Sequence, residues 1–373
     1  MIKANSHQVY ISFGSNKGNR LNHIIKSLKE LEVKVGRIMR VSNLYKTKSL
    51  GFESRDFYNG CVILKTKFSP DIVLKKILSI EDSLGRVRSE SGEYTSREID
   101  LDLLFFDNLI LNSEDLIIPH PHISKRNFVL IPMRDISSDF IHPKINKSIK
   151  NLLVISKDNS DVKKIKNNSY YVPFWQRYSF ISIEGNIGAG KTTLSKKIKS
   201  HFDIELLNEN YKKNPFLREF YSNPNEFSLK VENFFLNERI NQINKHFLIS
   251  SKRKTISDFW IGKSLVFAKN NLHEKVFKKY IEEYKKLNHG LRAPEIIVFL
   301  NQNTLQLQKQ IIERGRSFEN QISKDYLDSI SKEYEIVFDD KHNFILIVLS
   351  PKEILNLKDE KGQEYLLRKL INH

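Results

Sequence analysis

The stretch that decides the fold of the second half of the chain is "FISIEGNIGAGKTTLSKKIKSHF", residues 180–202. It begins as an apolar strand, passes through a glycine-rich turn and ends in a helical pattern. Residues 185–192 fit G-x-x-x-x-G-K-[ST], and a strand before and a helix after are the context that this motif requires. The stretch therefore predicts a phosphate-binding loop, and the matched context argues against a chance glycine turn.

The chemistry of this loop follows from its residue types. Glycines let backbone amides approach and wrap a polyphosphate, and the start of a helix adds a positive dipole. Lys191 can reach the outer phosphates, and the Thr192 hydroxyl can hold one Mg²⁺ ion. The residues predicted to bind ATP are Gly185, Asn186, Ile187, Gly188, Ala189, Gly190, Lys191, Thr192 and Thr193.

Working outward, two further apolar segments, "EIIVFLN" at 295–301 and "NFILIVLS" at 343–350, alternate with long helical patterns. This alternation predicts a parallel sheet flanked by helices. Residues 7–155 instead repeat a strand–helix–strand order, which predicts an α+β domain. A polar stretch broken by Pro173 separates the halves, so we expect domains at residues 1–160 and 178–373 with a linker at 161–177.

Composition narrows the class of protein. The chain has 373 residues, one cysteine and a net charge of +17. No apolar run approaches the roughly 20 residues of a membrane span, and the single Cys61 rules out an internal disulfide. Lysines are spread along the whole chain without zinc-finger spacing, so the charge favours polyphosphate substrates over nucleic acid. We expect a cytoplasmic protein without membrane or nucleic-acid partners.

Three segments of the second half, "EGNIGAGKTT", "NPFLREFY" at 214–221 and "IIERGRSFE" at 311–319, together resemble the deoxynucleoside kinase family over about residues 178–345. The resemblance implies that Glu209 takes the proton of the sugar 5′-hydroxyl and that Tyr221 and Glu319 hold the 3′-hydroxyl. It also implies that Arg314 and Arg316 neutralise the transferring phosphoryl group. A helix end with salt bridges is the alternative for these two arginines.

This half departs from the family pattern at three places. Phe259 and Trp260 stand where an arginine and a serine are usual. The family also has an arginine-rich lid, to which Arg314 and Arg316 correspond, and Gln310 replaces the first arginine of that lid. Glu232 matches the base-reading glutamine. An ionised carboxylate only accepts hydrogen bonds, and guanine offers two adjacent donors, so we expect deoxyguanosine to be preferred and deoxyadenosine to be possible. The lost arginines leave a weak or inactive kinase as an alternative.

The first half contains an unusual strand, "REIDLDLLFF" at residues 97–106. Asp100 and Asp102 stand two apart in an apolar stretch, so both carboxylates share one face of a strand. Like charges so placed need a positive partner, and Mg²⁺ with its preference for hard oxygen ligands is one candidate. A pair of salt-bridged structural aspartates is the alternative, since arginines lie on both sides in sequence.

The wider pattern of the first half resembles 6-hydroxymethyl-7,8-dihydropterin pyrophosphokinase over residues 8–153, through "YISFGSNKGNR", "EDSLGRVRSE", "SREIDLDLLFF" and "IPHPHISKRNFVLIPM". This folate-pathway family has a ferredoxin-like fold and transfers pyrophosphate from ATP to a pterin, releasing AMP. The resemblance implies that Asp100 and Asp102 hold two Mg²⁺ ions. It implies that the triphosphate is faced by Arg86, Arg88, Arg97, His120 and Arg126, with Arg86 and Arg97 acting in the transfer itself.

The same resemblance predicts the pterin pocket. Phe57 and Phe128 would stack on the flat ring, Asn59 would bind its edge, and backbone groups around Thr47 and Leu50 would complete it. Tyr94 takes the aromatic place in a loop where the family has Trp-Gly-Pro-Arg. His120 and His122 are too few ligands for a zinc site.

Together these patterns predict a fusion of two ATP- and magnesium-dependent kinases. A ferredoxin-like α+β domain is followed by a P-loop kinase domain, and the substrates are a pterin, a deoxynucleoside and ATP. By resemblance we expect a homodimer formed through residues 178–373. The alternative keeps the first enzyme and makes the second half a nucleotide-binding or dimerising module without turnover.

Overall fold

The computed structural model describes residues 6–49, 54–86, 95–166, 170–251, 253–319, 321–339 and 342–373. Its contacts divide the chain into two compact units. Unit one comprises Met1–Arg177, His201–Asp203 and Glu364–His373, and unit two comprises Tyr178–Ser200 and Ile204–Gln363. The domain boundaries and the linker given above stay predictions.

Residues 6–177 of the described chain contain eight strands, five α-helices and one 3-10 turn at Ile123–Lys125. The strands are β1 (His7–Ser15), β2 (Arg37–Val41), β3 (Tyr45–Thr47), β4 (Phe57–Thr66), β5 (Asp100–Phe106), β6 (Leu111–Asn112), β7 (Ile117–Ile118) and β8 (Lys163–Lys164). The helices are α1 (Arg20–Lys34), α2 (Pro70–Ser83), α3 (Asn127–Ser137), α4 (Ile149–Ile155) and α5 (Phe174–Arg177).

The main sheet of unit one is antiparallel. Its strands run in the order β5-β1-β4-β3-β8, and β2 pairs with β4 beside β3. The order of the four principal strands, β5-β1-β4-β2, with α1 and α2 as the connecting helices, is the β-α-β-β-α-β arrangement of a ferredoxin-like fold. The predicted fold class of the first half is therefore confirmed.

Each face of this sheet is covered by a different pair of helices. Residues such as Val9, Ile11 and Leu103 pack with α1 and α2, whereas Tyr10 and Cys61 pack with α3 and α4. The alternation follows the two-residue period of a strand. It is interrupted in β5, where Leu104 and Phe105 both pack with α3 and α4, opposite the point between Tyr10 and Ile11 at which the register of the two strands shifts by one residue.

The remaining residues contain five strands, nine α-helices and two 3-10 turns, Tyr211–Lys213 and Ser317–Glu319, among the described residues. The strands are β9 (Phe180–Gly185), β10 (Glu205–Leu207), β11 (Thr255–Ser257), β12 (Ile296–Leu300) and β13 (Ile345–Leu349). The helices are α6 (Lys191–Phe202), α7 (Leu217–Ser222), α8 (Pro224–Ile249), α9 (Lys263–Asn271), α10 (Glu274–Asn288), α11 (Thr304–Arg314), α12 (Lys324–Asp339), α13 (Pro351–Asn356) and α14 (Glu360–Ile371).

The sheet of unit two is parallel throughout, in the order β10-β11-β9-β12-β13. Every residue of β9 and β12 is buried, as expected where helices cover both faces of a parallel sheet. The glycine-rich loop leaves the C-terminal end of the central strand β9 and enters α6. The predicted parallel sheet flanked by helices is confirmed, and the glycine-rich loop lies between a strand and a helix.

Among the helices that the structure describes, none combines the length and the low polarity that crossing a bilayer requires.

Candidate active sites

A cavity of about 510 Å³ opens at one end of the sheet of unit one. It brings together nine of the residues predicted for the pterin and triphosphate sites: Thr47, Phe57, Asn59, Arg97, Asp100, Asp102, His120, Arg126 and Phe128. Leu50, Arg88 and Tyr94 lie outside the described residues. The sequence analysis did not single out Ser12 and Gly14, which also line this cavity.

Strand register places the two aspartates on the cavity side of the sheet. Asp100 pairs with Gly14 and Asp102 with Ser12, while Gly14 pairs with Asn59 on its other side. Asp100, Gly14 and Asn59 therefore form one row across three strands. A Cβ at position 14 would lie 2.7 Å from Asn59 Oδ1, so only glycine leaves the row open.

Two arginines bracket Asp100. Arg86 Nη1 lies 2.6 Å from Asp100 Oδ1, and Arg97 Nη1 lies 2.6 Å from Asp100 Oδ2. Arg86 also pairs with the fully buried Glu81, whose carboxylate accepts the backbone N–H of Leu101 at 2.7 Å. These two arginines are the positive partners of Asp100.

The environment of Asp102 favours its protonated form over the charged form. Its pKa is raised, first by burial and second by the nearby Asp100 carboxylate, against the opposing charge of Arg126. Among the described residues no three His, Cys, Asp or Glu side chains form a metal-binding group. Two carboxylates that repel each other are a hard-oxygen donor set, and Mg²⁺ completes such sets with water and phosphate oxygens. The residues present therefore fit the ion.

The other walls of the cavity are suited to a flat, polar molecule. Asn59 Nδ2 donates to Thr47 Oγ1 at 2.7 Å, which fixes the orientation of the amide. The Arg126 guanidinium lies 5.7 Å from the centre of the Phe128 ring. Burial, and then the charge of Arg126, lowers the pKa of His120 to about 4, so its imidazole is neutral near pH 7.

Two further cavities, which adjoin each other, lie in unit two. The smaller, of about 110 Å³, is lined by ten of the predicted residues: Ile187, Gly188, Lys191, Thr192, Glu209, Tyr221, Glu232, Arg314, Arg316 and Glu319. The larger, of about 850 Å³, follows the phosphate loop from Gly188 to Thr193 and is also lined by Gln310. Both cavities are bordered by Lys191, Thr192 and Glu209, so a molecule in one faces a molecule in the other.

The phosphate loop is held in a shape that needs glycine. Gly188 has a φ of +85°, and a Cβ there would lie 2.8 Å from the Leu307 carbonyl oxygen. Lys191 Nζ donates to the Gly185 and Asn186 carbonyl oxygens at 2.7 and 2.9 Å. Burial, and then the charge of Lys263, lowers the pKa of Lys191 to about 8.

Two cations form ion pairs with Glu209, the predicted base. Arg239 Nε and Nη2 lie 2.8 and 2.6 Å from Glu209 Oε1, and Lys263 Nζ lies 2.9 Å from Glu209 Oε2. Burial alone would raise the pKa of Glu209, but these two ion pairs hold it well below its usual range. The sequence analysis missed both cations. The available signal was a charged residue within an apolar helical pattern, in "NERINQI" and "WIGKSLVF".

The two predicted lid arginines share one carboxylate. Arg314 and Arg316 both pair with Glu319, and the Arg316 Nη1 to Glu319 Oε1 distance is 3.0 Å. The guanidinium of Arg316 also lies 3.8 Å from the centre of the Tyr211 ring. Burial, and then the charge of Glu319, raises the pKa of the Tyr221 hydroxyl, which therefore keeps its proton.

Glu232 lines the smaller cavity with 1% of its surface exposed. Its Oε1 accepts a hydrogen bond from Asn271 Nδ2 at 2.8 Å, and its Oε2 is buried without a partner among the described residues. Burial raises the pKa of Glu232 to about 7, against the hydrogen bond from Asn271. Asn271 is a further residue that the sequence did not reveal.

Two family models match the chain in separate segments. The model described as 7,8-dihydro-6-hydroxymethylpterin-pyrophosphokinase matches residues 10–138, and the model described as deoxynucleoside kinase matches residues 181–372. The two matched segments correspond to the two cavity regions described above.

Curated relatives fall into the same two groups. A 2-amino-4-hydroxy-6-hydroxymethyldihydropteridine pyrophosphokinase of Aquifex aeolicus is 35% identical over 143 residues, which are 38% of this chain and 88% of that relative. A deoxyguanosine kinase of Bacillus subtilis is 37% identical over 160 residues, 42% of this chain and 77% of that relative. The folic acid synthesis protein fol1 of Pneumocystis carinii is 41% identical over 143 residues, but this chain spans only 19% of its length.

Proposed function

The chain belongs to both the hydroxymethyldihydropterin pyrophosphokinase and the deoxynucleoside kinase families, and on this premise we propose that it catalyses two separate reactions with ATP. Unit one transfers pyrophosphate to the hydroxymethyl group of a dihydropterin and releases AMP. Unit two transfers the γ-phosphoryl group to the 5′-hydroxyl of a deoxynucleoside and releases ADP. Each reaction has its own cavity and its own charged groups.

The observation that supports the first reaction is the meeting of Asp100, Asp102 and several basic side chains in one cavity. Asp100 and Asp102 would hold two Mg²⁺ ions, which supply charge neutralisation to the triphosphate. Arg86, Arg97 and Arg126 orient the phosphates, with the neutral His120 as a hydrogen-bonding group beside them. Asn59, fixed by Thr47, would bind the edge of the pterin between Phe57 and Phe128.

The test is AMP release from ATP in the presence of the pterin. Asp102→Asn keeps the shape of the side chain and removes its charge, so we expect the rate to fall by about 100-fold or more. ADP release with a deoxynucleoside by the same preparation is the matched control, because unit two is unchanged. A variant that keeps the parent's rate would refute the proposed role of the two aspartates.

The observation that supports the second reaction is an ionised Glu209 beside Lys191 and Thr192 where the two cavities adjoin. The sugar 5′-oxygen would attack the γ-phosphorus, its proton would pass to Glu209, and the bond to the β-phosphate would break to release ADP. Lys191 faces the phosphates, and Thr192 would hold the single Mg²⁺ ion. Arg314 and Arg316 would neutralise the transferring group, and Tyr221 and Glu319 would hold the 3′-hydroxyl.

We further propose that the nucleoside is a purine, with deoxyguanosine preferred. When ionised, the Glu232 carboxylate can accept from the N1–H and 2-amino groups of guanine, and its Oε2 has no partner among the described residues. The Bacillus subtilis relative named deoxyguanosine kinase supports this preference. Comparing kcat/KM for the four deoxynucleosides tests it, and a clear preference for pyrimidines would contradict it.

The second candidate for unit two is a nucleotide-binding or dimerising module without turnover. It is favoured by Phe259 and Gln310, which replace two arginines of the family pattern. Lys191→Ala and Asp100→Ala separate the alternatives, because each variant of two independent enzymes loses one product, ADP or AMP. Parent protein that releases no ADP with any deoxynucleoside supports the module. The homodimer through residues 178–373 and the cytoplasmic location stay predictions.

A further inference from the structure

We propose that Lys263 is the positioning residue of the second active site, holding the Glu209 carboxylate ionised and in place where the family pattern would use an arginine at position 259. This inference rests on the proposed kinase reaction of unit two. It concerns a residue that neither the motifs nor the family pattern singled out.

The first step is the geometry of the Glu209 carboxylate. Each of its oxygens has its own cation, Arg239 on Oε1 and Lys263 on Oε2, at 2.6 to 2.9 Å. The Arg239 and Lys263 side chains are 2% and 7% exposed. Buried ion pairs with good geometry hold a carboxylate in one orientation, whereas loss of one partner leaves a buried charge uncompensated.

The apolar residue at position 259 cannot supply this charge. Phe259 is fully buried in an apolar cluster with Leu207 and Leu236. After it the chain is fixed by the Trp260 N–H, which donates to Glu184 Oε2 at 2.9 Å. Helix α9 then begins at Lys263, and this first residue directs its ammonium group to Glu209. The cation beside Glu209 is therefore supplied from four residues further along the chain, at the start of a helix.

Arg239 and Lys263 differ in the other groups on which they act. Arg239 also donates to Ser264 Oγ at 2.6 Å, so it ties α8 to α9 as well as binding Glu209. Lys263 and Arg239 both line the smaller cavity with Lys191 and Thr192. The charge of Lys263 also contributes to the lowered pKa of Lys191. Arg239 thus links two helices as well as binding Glu209, whereas the charge of Lys263 acts on both Glu209 and Lys191 of the glycine-rich loop.

The experiment measures kcat/KM for deoxyguanosine phosphorylation against pH in Lys263→Met, Lys263→Arg and the parent. In Lys263→Met we expect a fall of about 100-fold near neutral pH and an acidic limb displaced to higher pH, because Glu209 loses one of its cations. Lys263→Arg should recover most of the rate. Lys269→Met is the matched control, since Lys269 is an exposed lysine of the same helix.

A second readout does not depend on turnover. Carboxyl-¹³C glutamate labelling of the full chain, with Glu209→Gln to identify the resonance, follows the titration of Glu209 directly. We expect Glu209 to titrate at higher pH in Lys263→Met than in the parent. An unchanged titration, or a lower rate with an unmoved pH profile, would overturn the inference. Absence of ADP release in the parent would refute the proposed kinase reaction instead, while the titration still decides the role of Lys263.

Discussion

The Thr192 hydroxyl donates a hydrogen bond of 2.5 Å to Asp258 Oδ2. The other oxygen of Asp258 accepts the backbone N–H of Glu209 at 2.7 Å. One carboxylate at the end of β11 thus joins the first turn of α6 to the segment that carries the proposed base. The distance between the phosphate loop and Glu209 is set by this bridge rather than by either loop alone.

Asp258→Asn should therefore impair the kinase of unit two without unfolding it. An amide keeps the size of the side chain but loses the charge. With its oxygen on the Glu209 N–H, its NH2 group can only donate to the Thr192 hydroxyl, which reverses that hydrogen bond. We expect kcat for deoxynucleoside phosphorylation to fall by about 10- to 100-fold, measured as ADP release. AMP release with the pterin should be unchanged in the same preparation. Equal loss of both activities would indicate general misfolding instead.

Gly14→Ala should weaken pterin binding in unit one. The new methyl group would meet Asn59 Oδ1 at 2.7 Å, so the amide must rotate away from Thr47. We expect KM for the pterin to rise by about 10-fold with a smaller change in KM for ATP, because a misplaced hydrogen bond costs about 1–2 kcal/mol. Steady-state kinetics with each substrate varied in turn measures both. A rise confined to KM for ATP would contradict the placement of Asn59 at the pterin edge.

Glu81→Gln should destabilise unit one. The same oxygen of the buried carboxylate accepts from Leu101 N–H and pairs with Arg86, and an amide oxygen there could accept from both groups but would carry no charge to match the guanidinium. We expect a loss of about 2 kcal/mol in the free energy of unfolding, because a charge-assisted hydrogen bond inside the protein becomes a neutral one. Calorimetry of the full chain measures it. Asp139→Asn, at an exposed ion pair with Lys150, is the control and should leave the melting profile unchanged.

Glu232→Gln should change how stability depends on pH. An unfolded glutamate releases its proton near pH 4.5, whereas Glu232 in the fold keeps it to about pH 7. The stability that this group contributes is therefore present below pH 4.5 and is lost as pH rises through 7. Glutamine does not titrate, so its advantage over the parent should grow from pH 5 to pH 8, up to about 3 kcal/mol. Melting temperatures at both pH values measure this, and an equal difference at each would contradict it.

Local patterns were the predictable part of this molecule. The strand, loop and helix of residues 180–202 occur as β9 and α6 because a period of two, a glycine turn and a period of 3.6 are each visible in a short window. The shared face of Asp100 and Asp102 is equally local, and register with β1 confirms it. For Glu319, the resemblance implied a sugar ligand, whereas its pairing with Arg314 and Arg316 emerged only from the structure.

The contacts that the sequence did not reveal are those between distant elements. Arg239, Lys263 and Asn271 lie on α8 and α9, and they meet Glu209 and Glu232 only after both helices pack beside β10 and β11. A pairing of residues 54 positions apart, as between Glu209 and Lys263, leaves no periodic trace. The burial of Phe259 also depends on packing between distant elements. In the sequence, this residue stood out only because the family pattern has an arginine at its position.

The register shift between β1 and β5 has a consequence for how this site can vary. Before the shift, alternate residues of β5 face the cavity, and beyond it Leu104 and Phe105 both join the cluster under α3 and α4. Strand β5 thus has a charged end, with Asp100 and Asp102, and an apolar end, with Leu104 and Phe105, that anchors the strand in the core. Residues of the anchoring end can be replaced by other apolar residues in evolution or design. Insertion of one residue between Asp102 and Leu103 would instead turn both Asp100 and Asp102 toward α1 and α2.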